Sequence, residues 1–389
     1  MITLLSVSVI SCSENLLIGE NPILPKAIIV SPMWPQSGFN AQNTSSPYAP
    51  YSHCNAVNLG EVDWFYDFGG YNSDGAEFCV DSKNNIYFLW QGHPWHKIYK
   101  FRHDGTVIWI KDSVYSDNFA SFSLSPDEKN IYMNNGTRLI CVDSTGHLQW
   151  TSQYSGYYTK PAIGKEGTIY TKNSNDIAAI NPDGTLKWTT FAGLSSISVT
   201  KVALDRDENI YIAEKKIIKF DKDGNFIWAF SPDEQDFLGE TVVIDGFGNL
   251  YFVTAKHWPA NNIYSLTKDG VFRWKLTSGA FSSPVIGFDN KIYSVGVSVY
   301  CIDTSGVILW TKPMPQGISV GEAPVMDFEE NLYFLSYDNG INAISVNKNG
   351  DPRWTINLSL GGLLPGPSLM PMGRMLVAPK RAGKIACIK

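Results

Sequence analysis

Residues 201–228 read KVALDRDENIYIAEKKIIKFDKDGNFIW. Four short runs rich in β-branched and aromatic residues can be cut from this stretch, at 201–205, 209–213, 216–220 and 224–228. Turn residues separate them, and Asp223-Gly224 supplies the left-handed position of a tight hairpin before the last run. Four antiparallel runs in about forty residues describe one blade of a propeller. The closing motif, Gly-x-x-x-Trp, recurs on either side: Gly60/Trp64, Gly105/Trp109, Gly146/Trp150, Gly184/Trp188, Gly224/Trp228, Gly270/Trp274, Gly306/Trp310 and Gly350/Trp354. Steps of 36 to 46 residues mark stacked units, none able to bury its apolar face alone.

The second run of each unit carries Ile-Tyr or Leu-Tyr, at Tyr87, Tyr132, Tyr170, Tyr211, Tyr251, Tyr293 and Tyr333. Both termini set the count. Gly60–Trp64 has no Tyr-bearing run before it, whereas 367–370, 374–377 and 384–388 are three strands with no fourth. The expectation is an all-β, eight-bladed propeller of four-stranded antiparallel blades over 55–389. An N-terminal strand pairing with the last blade closes the ring and removes exposed edges. The eight motif tryptophans are read as wedges between blades. At ~150–250 Å² buried apiece, Trp228→Ala is expected to cost ~3–5 kcal/mol.

Aromatic residues make up 13% of the 389 residues and charged residues 17%, enough for a large core. The net charge is −6 with no Lys/Arg cluster, which argues against a nucleic-acid backbone binder. No apolar run is long enough to cross a bilayer. Residues 1–12 are apolar and end in Val9-Ile10-Ser11-Cys12, which resembles a bacterial lipobox with Cys12 as the lipid-attachment residue. No Lys or Arg precedes this stretch, and it is short for a signal, as a truncated start would make it. Residues 13–54 are read as a tether and opening segment, with Pro22, Pro25 and Pro32.

The residues after the motif tryptophans are Phe65, Ile110, Thr151, Thr189, Ala229, Lys275, Thr311 and Thr355, never Asp. That pattern argues against WD40, and the scarcity of Gly-Gly doublets argues against kelch. The Pro-x-apolar, Ile-Tyr, Ile-x-Ala-Ile-Asp-like and Gly-x-x-x-Trp runs together resemble the PQQ-type repeat of the quinoprotein alcohol dehydrogenase-like superfamily. Trp34-Pro35, Asn40-Ala-Gln-Asn43 and Ser46-Pro-Tyr48 resemble the opening segment of its non-enzymatic, lipoprotein-like members. The resemblance covers about residues 34–389 and implies the eight-bladed fold. A quinone dehydrogenase with calcium is the enzymatic alternative it raises. The family's enzymes have an adjacent Cys-Cys pair, whereas no two of the six cysteines here adjoin, so no cofactor is expected.

Cys141, Cys301 and Cys387 share a third-strand position held elsewhere by Ala179 and Ala343, and Cys79 sits where other units have Ala or Val. They read as small buried residues rather than disulfide partners. Cys54 has no repeat position, and pairing with Cys79 is the conceivable exception. Asp221-Lys-Asp-Gly-Asn225 imitates a calcium loop but lacks the downstream bidentate Glu, so it reads as a hairpin turn. His93 and His96 have metal-ligand spacing without a third ligand. No hydrolase, zinc-protease or P-loop motif occurs.

In a propeller the second-to-third-strand and blade-to-blade connections share one face, and loops on a rigid scaffold carry function. The candidate binding face is Trp90, His93, Trp95, His96, His257 and Trp258, with Tyr66, Tyr71, Tyr154, Tyr157 and Tyr158. Exposed aromatics anchor protein interfaces and also stack on sugars. A second reading, weighed equally, has these rings covering the ends of the blades. The preferred function is a non-catalytic, monomeric envelope propeller, periplasmic or at the surface. It would bind a protein in envelope or outer-membrane assembly and touch membrane only through a lipid anchor. A functional analogue is the propeller lipoprotein of the outer-membrane β-barrel assembly machinery. The alternatives are a glycan-binding surface lipoprotein and a quinone-dependent enzyme.

Overall fold

A computed structural model describes residues 54–70, 78–91, 96–112, 121–134, 138–154, 159–173, 175–193, 200–232, 237–257, 260–277, 282–315, 323–362, 366–379 and 381–389. The described residues form eight four-stranded antiparallel sheets, one parallel pair of Thr159–Lys160 with Thr200–Lys201, and no helix. Blade 4 is the unit read from the sequence: Ala203–Leu204, Ile210–Ala213, Ile217–Phe220 and Phe226–Phe230. Blades 1 to 3 precede it and begin at Phe78–Val80, Ser121–Leu124 and Ala162–Ile163. Blades 5 to 7 follow and begin at Phe237–Ile244, Val285–Ile286 and Val325–Met326. Blade 8 joins Ser368–Met370, Arg374–Val377 and Lys384–Ile388 to Val62–Asp67, its outer strand.

The first three strands of a blade are almost wholly buried, whereas the fourth alternates, as in the half-buried and exposed pattern of Val107–Asp112. Period-two alternation is what a peripheral strand with one covered face requires. The seven second-strand tyrosines lie among the most deeply buried side chains.

The wedge reading of the motif tryptophans holds, with one correction. Trp64, Trp109, Trp150, Trp188, Trp228, Trp274, Trp310 and Trp354 are each half-buried, not enclosed. The burial expected of them is therefore too large. The physical reason is their place on the outermost strand, where one side of the ring packs on the next blade and the other meets solvent. Each lies on the motif glycine of the following blade. Trp64 covers Gly105, Trp109 covers Gly146, Trp150 covers Gly184 and Trp188 covers Gly224. Trp228 then covers Gly270, Trp274 covers Gly306, Trp310 covers Gly350, and Trp354 covers Gly60 to complete the circuit. A Cβ on Gly270, where φ is 80°, would stand 2.7 Å from Trp228 Cδ2, so no other residue fits. The Trp228 indole N–H donates to Lys268 O at 3.2 Å, in that glycine's own hairpin. Trp109, Trp150, Trp188 and Trp274 donate in the same way to Ser144 O, Pro182 O, Lys222 O and Thr304 O. Gly-x-x-x-Trp is therefore two halves of adjacent seams.

Closure is firmer than a strand pair. Ahead of Val62–Asp67, the peptide from Cys54 lies in the seam between blades 7 and 8. Cys54 O accepts from Phe328 N at 3.0 Å, and Asn55 N donates to Pro371 O at 3.0 Å. Val57 N donates to the Tyr333 hydroxyl at 2.8 Å, and Val57 O accepts from Trp354 Nε1 at 2.8 Å. Cys54, Cys79, Cys141, Cys301 and Cys387 are buried and none is in a disulfide. Cys12 lies outside the described residues.

Candidate functional site

Strand direction sorts the connections onto two faces. The first-to-second and third-to-fourth turns share one face, called here the turn face. The second-to-third and blade-to-blade connections share the other, the loop face.

Polar chemistry on the turn face is built into the turns. In blade 4, Asp205 Oδ1 accepts from Asp207 N and Asn209 N at 2.9 Å each, while Oδ2 accepts from the Tyr211 hydroxyl at 2.9 Å. Lys219 Nζ lies 3.7 Å from that carboxylate and donates to Lys268 O at 3.0 Å, the same carbonyl that Trp228 uses. Blade 1 repeats the set with Asp81, Tyr87 and Lys100. In blades 5 and 7 the cation comes from the fourth strand. Arg273 donates to the Tyr251 hydroxyl at 3.2 Å and to Thr304 O at 2.8 Å. Arg353 donates to the Tyr333 hydroxyl at 3.0 Å and to Val57 O at 3.1 Å. Burial raises the Asp327 carboxyl above its ordinary range, against its hydrogen bonds from Tyr333 and Asn331. The hydroxyls of all four tyrosines are pushed far up by burial and by their aspartates, so they stay donors.

Asp221 belongs to a hairpin, as its sequence suggests. Oδ1 accepts from Asp223 N and Asn225 N, and Oδ2 from Asn225 Nδ2 at 2.8 Å. Those bonds outweigh the push of burial and hold the carboxyl below its usual range. No group of three His, Cys, Asp or Glu gathers as a metal site among the described residues. Burial pushes the Cys141 thiol up to about 12 and the Cys301 thiol up to about 11, which suppresses thiolate chemistry. A cleft of about 140 Å³ opens between the turns of blades 4 and 5, lined by Asp205, Arg206, Asp245, Phe247 and Lys268. Asp207 also lines it, and the carboxylates of Asp205 and Asp245 are already bonded within their own turns.

His93, Trp95, Trp258, Tyr71, Tyr157 and Tyr158 lie outside the described residues. His96 and His257 end strands His96–Phe101 and Leu250–His257, with backbones paired to Gln91 and Ala260. Trp90 is buried, and Tyr66 and Tyr154 are half-buried. Trp90 is 8% exposed and stacks on Phe68 at 5.8 Å. Tyr66 lies edge-on to Phe68, Tyr99 and Phe101 at 4.9, 5.8 and 5.0 Å. These rings fill the seam between blades 8 and 1. The Tyr154 hydroxyl donates to Asp176 O at 3.2 Å.

Three described apolar residues do stand exposed toward this face: Tyr337 at 53%, Val297 at 42% and Phe191 at 75%. Val297 and Tyr337 sit at the second-to-third-strand hairpins of adjacent blades, 6 and 7. Both hairpins are short and hydrogen-bonded, Gly296 N to Ser298 O at 2.9 Å and Asp338 N to Gly340 O at 3.0 Å. The sequence reading looked to long loops bearing Trp and His. The missed signal was an apolar residue in or beside a tight Gly hairpin, where the side chain has nowhere to turn inward. Between the second strands of blades 3 and 4, Lys172 and Glu214 form a buried ion pair at 2.5 Å. Such a pair adds little net stability, because desolvation offsets its attraction.

No protein-family model and no curated protein sequence matches the chain. Solved structures do match in shape. The quinohemoprotein alcohol dehydrogenase from Comamonas testosteroni is similar, with a TM-score of 0.65 over 91% of this chain and 80% of that one, at 11% identity. BamB from Moraxella catarrhalis is similar, with a TM-score of 0.57 over 84% of this chain and 96% of that one, at 14% identity. The chain shares its propeller fold with these two structures. One of these two neighbours is an enzyme by name, so the shared fold does not choose between catalysis and binding.

Proposed function

We propose that the chain is a non-catalytic, extracytoplasmic propeller that binds a protein through its loop face, in envelope or outer-membrane assembly. The observation that carries this reading is the contrast between the faces. The buried Asp, Lys and Arg sets of the turn face are engaged in turns and seams, while Tyr337 and Val297 stand exposed on adjacent, hydrogen-bonded hairpins. Rigid presentation lowers the ordering cost of association, and a half-exposed tyrosine is a usual interface anchor. Localisation in the envelope, with Cys12 as lipid anchor, belongs to the same proposal. The closing peptide fits it, because Cys54 lies on the turn face.

A crosslinking pull-down from the native envelope tests the reading. The expected result is one enriched protein partner, lost or weakened in Tyr337→Ala/Val297→Ser. Glycan-array binding without a protein partner would move the function to carbohydrate recognition. Dehydrogenase activity on adding pyrroloquinoline quinone with calcium would overturn the non-catalytic claim. Mass spectrometry of the N-terminal peptide decides lipidation at Cys12.

A further inference from the structure

At three seams a glutamate clasps the first-to-second-strand turn of the preceding blade. Glu128 of blade 2 accepts from Ser82 N at 2.8 Å and Ser82 Oγ at 2.6 Å in blade 1. Glu208 of blade 4 accepts from Lys165 N at 2.6 Å in blade 3, and Glu330 of blade 7 accepts from Phe288 N at 2.8 Å in blade 6. These glutamates hold one turn position and share a left-handed backbone, with φ of 59°, 62° and 63°. Two other seams dispense with the clasp for visible reasons. Blade 2 turns Pro126, which has no N–H, toward Gly167 of blade 3, and Phe328 N of blade 7 donates to Cys54 O at 3.0 Å.

The seam between blades 4 and 5 is built differently. Its glutamate position is Gly248, at φ 84°, and its donor position is Arg206. Where a carboxylate stands at the clasped seams, there is the cleft of about 140 Å³ lined by both residues. The seam between blades 1 and 2 is its counterpart with the glutamate present. Each has an aspartate, tyrosine and lysine set on the earlier blade: Asp81, Tyr87 and Lys100 in one, Asp205, Tyr211 and Lys219 in the other. A carboxylate is therefore tolerated beside such a set. The cleft also has cations that its counterpart lacks. Arg206 stands where blade 1 has Ser82, and Lys268 stands where blade 2 has Ser144. The Lys268 stem lies over Gly248, its Cβ 3.2 Å from where a Cβ on that glycine would stand. Asp207 opposes an anion here, and the two cations outnumber it. Ile244 and the exposed Phe247 supply an apolar wall.

We propose that this cleft binds a small organic acid. The ligand carboxylate takes the place of the missing glutamate, and its short carbon chain lies against Phe247. The volume exceeds what a single water needs. Arg206 can serve a ligand beside its own contacts, because a guanidinium carries five N–H donors. The site is independent of the protein-binding proposal, which concerns the opposite face.

A ligand-observed NMR titration of the full chain tests it, with butyrate as the probe. Butyramide and butylamine are the neutral and cationic counterparts, all at one ionic strength. Butyrate should bind saturably and about tenfold more tightly than butyramide, as a charged acceptor does over a neutral one. Lys268→Gln keeps the backbone carbonyl that Trp228 and Lys219 use, and should weaken butyrate about two- to fivefold. Gly248→Glu rebuilds the clasp and should abolish butyrate binding while the chain still melts cooperatively. Butyrate binding no tighter than butyramide or butylamine would overturn the site, as would binding unchanged by both substitutions. A blocked glutamyl peptide that binds where butyrate does not would assign the cleft to a protein side chain and overturn the small-acid reading.

Discussion

Blade 4 and blade 6 present the same buried tyrosine to a seam and surround it in opposite ways. In blade 4, Tyr211 donates to Asp205, and Lys219 neutralises the carboxylate and bonds the next blade. In blade 6 the aspartate position is Gly287 and the lysine position is Cys301, beside Tyr293. The carboxylate comes instead from the next blade, as Glu330, which accepts from Phe288 N at 2.8 Å. Blade 3 follows blade 6, with Gly164, Ala179 and a bond from Tyr170 to Glu208 at 3.2 Å. Blades 1, 5 and 7 follow blade 4. Within one blade the aspartate and its cation thus occur together or are both absent, and in blades 3 and 6 a glutamate of the next blade takes the carboxylate's place. Pairs of this kind imitate catalytic clusters in a list of residues while serving as structural joints.

Removing half of a set should have the largest effect. Lys219→Ala leaves Asp205 without its cation and is expected to cost ~3–5 kcal/mol, measured from the denaturant midpoint. Asp205→Gly/Lys219→Ala copies blade 3 and should recover ~1–3 kcal/mol relative to the summed single changes. Strict additivity would break the comparison.

The outer seam should come next. Half-burial lowers the expectation for Trp228→Ala to ~2–4 kcal/mol. Gly270→Ala forces a Cβ onto the same ring and should cost on the order of 1–3 kcal/mol. Once Trp228 is gone, Gly270→Ala should cost less, and an unchanged cost would mean that the two do not share a seam.

The smallest effect is a pH slope in the neutral-core seam. Burial first, then repulsion from Asp289, raises the Glu330 carboxyl above its ordinary value. The folded chain therefore holds this proton where the unfolded chain has released it. The contribution of Glu330 to stability falls as pH climbs from the ordinary carboxylate range through the raised value. Glu330→Gln keeps an acceptor for the Phe288 and Asp289 amides and should remove that slope. The slope should lie just above the ordinary carboxylate range and be absent from the variant. A slope that survives the substitution must come from another group.

The architecture was readable because its signal is periodic. Gly-x-x-x-Trp repeats within the chain, and the incomplete units at the two ends complement one another. The depth of the motif tryptophans was not readable, because a wedge at the rim and a wedge in the core leave the same spacing. The seam sets were harder to read. Asp205 and Lys219 are 14 residues apart, Asp245 and Arg273 are 28 apart, and the carbonyl each cation bonds belongs to another blade. Spacing alone drew attention to Asp221, whose carboxylate serves only its own hairpin. Trp90 looked like a loop aromatic because its partner Phe68 comes from blade 8, which only ring closure brings alongside. Tyr337 was passed over because a buried second strand ending in one exposed residue has the same composition as a buried strand.

The claim on which the functional reading depends is that protein binding belongs to the loop face and not to the turn face. Site-specific photo-crosslinking in the native envelope tests it directly, with the photoreactive residue at Tyr337 on one face or at exposed Phe226 beside the opposite hairpins. The account predicts a discrete protein adduct from position 337 and none from position 226. An adduct from position 226 alone, or equal adducts from both, would contradict it.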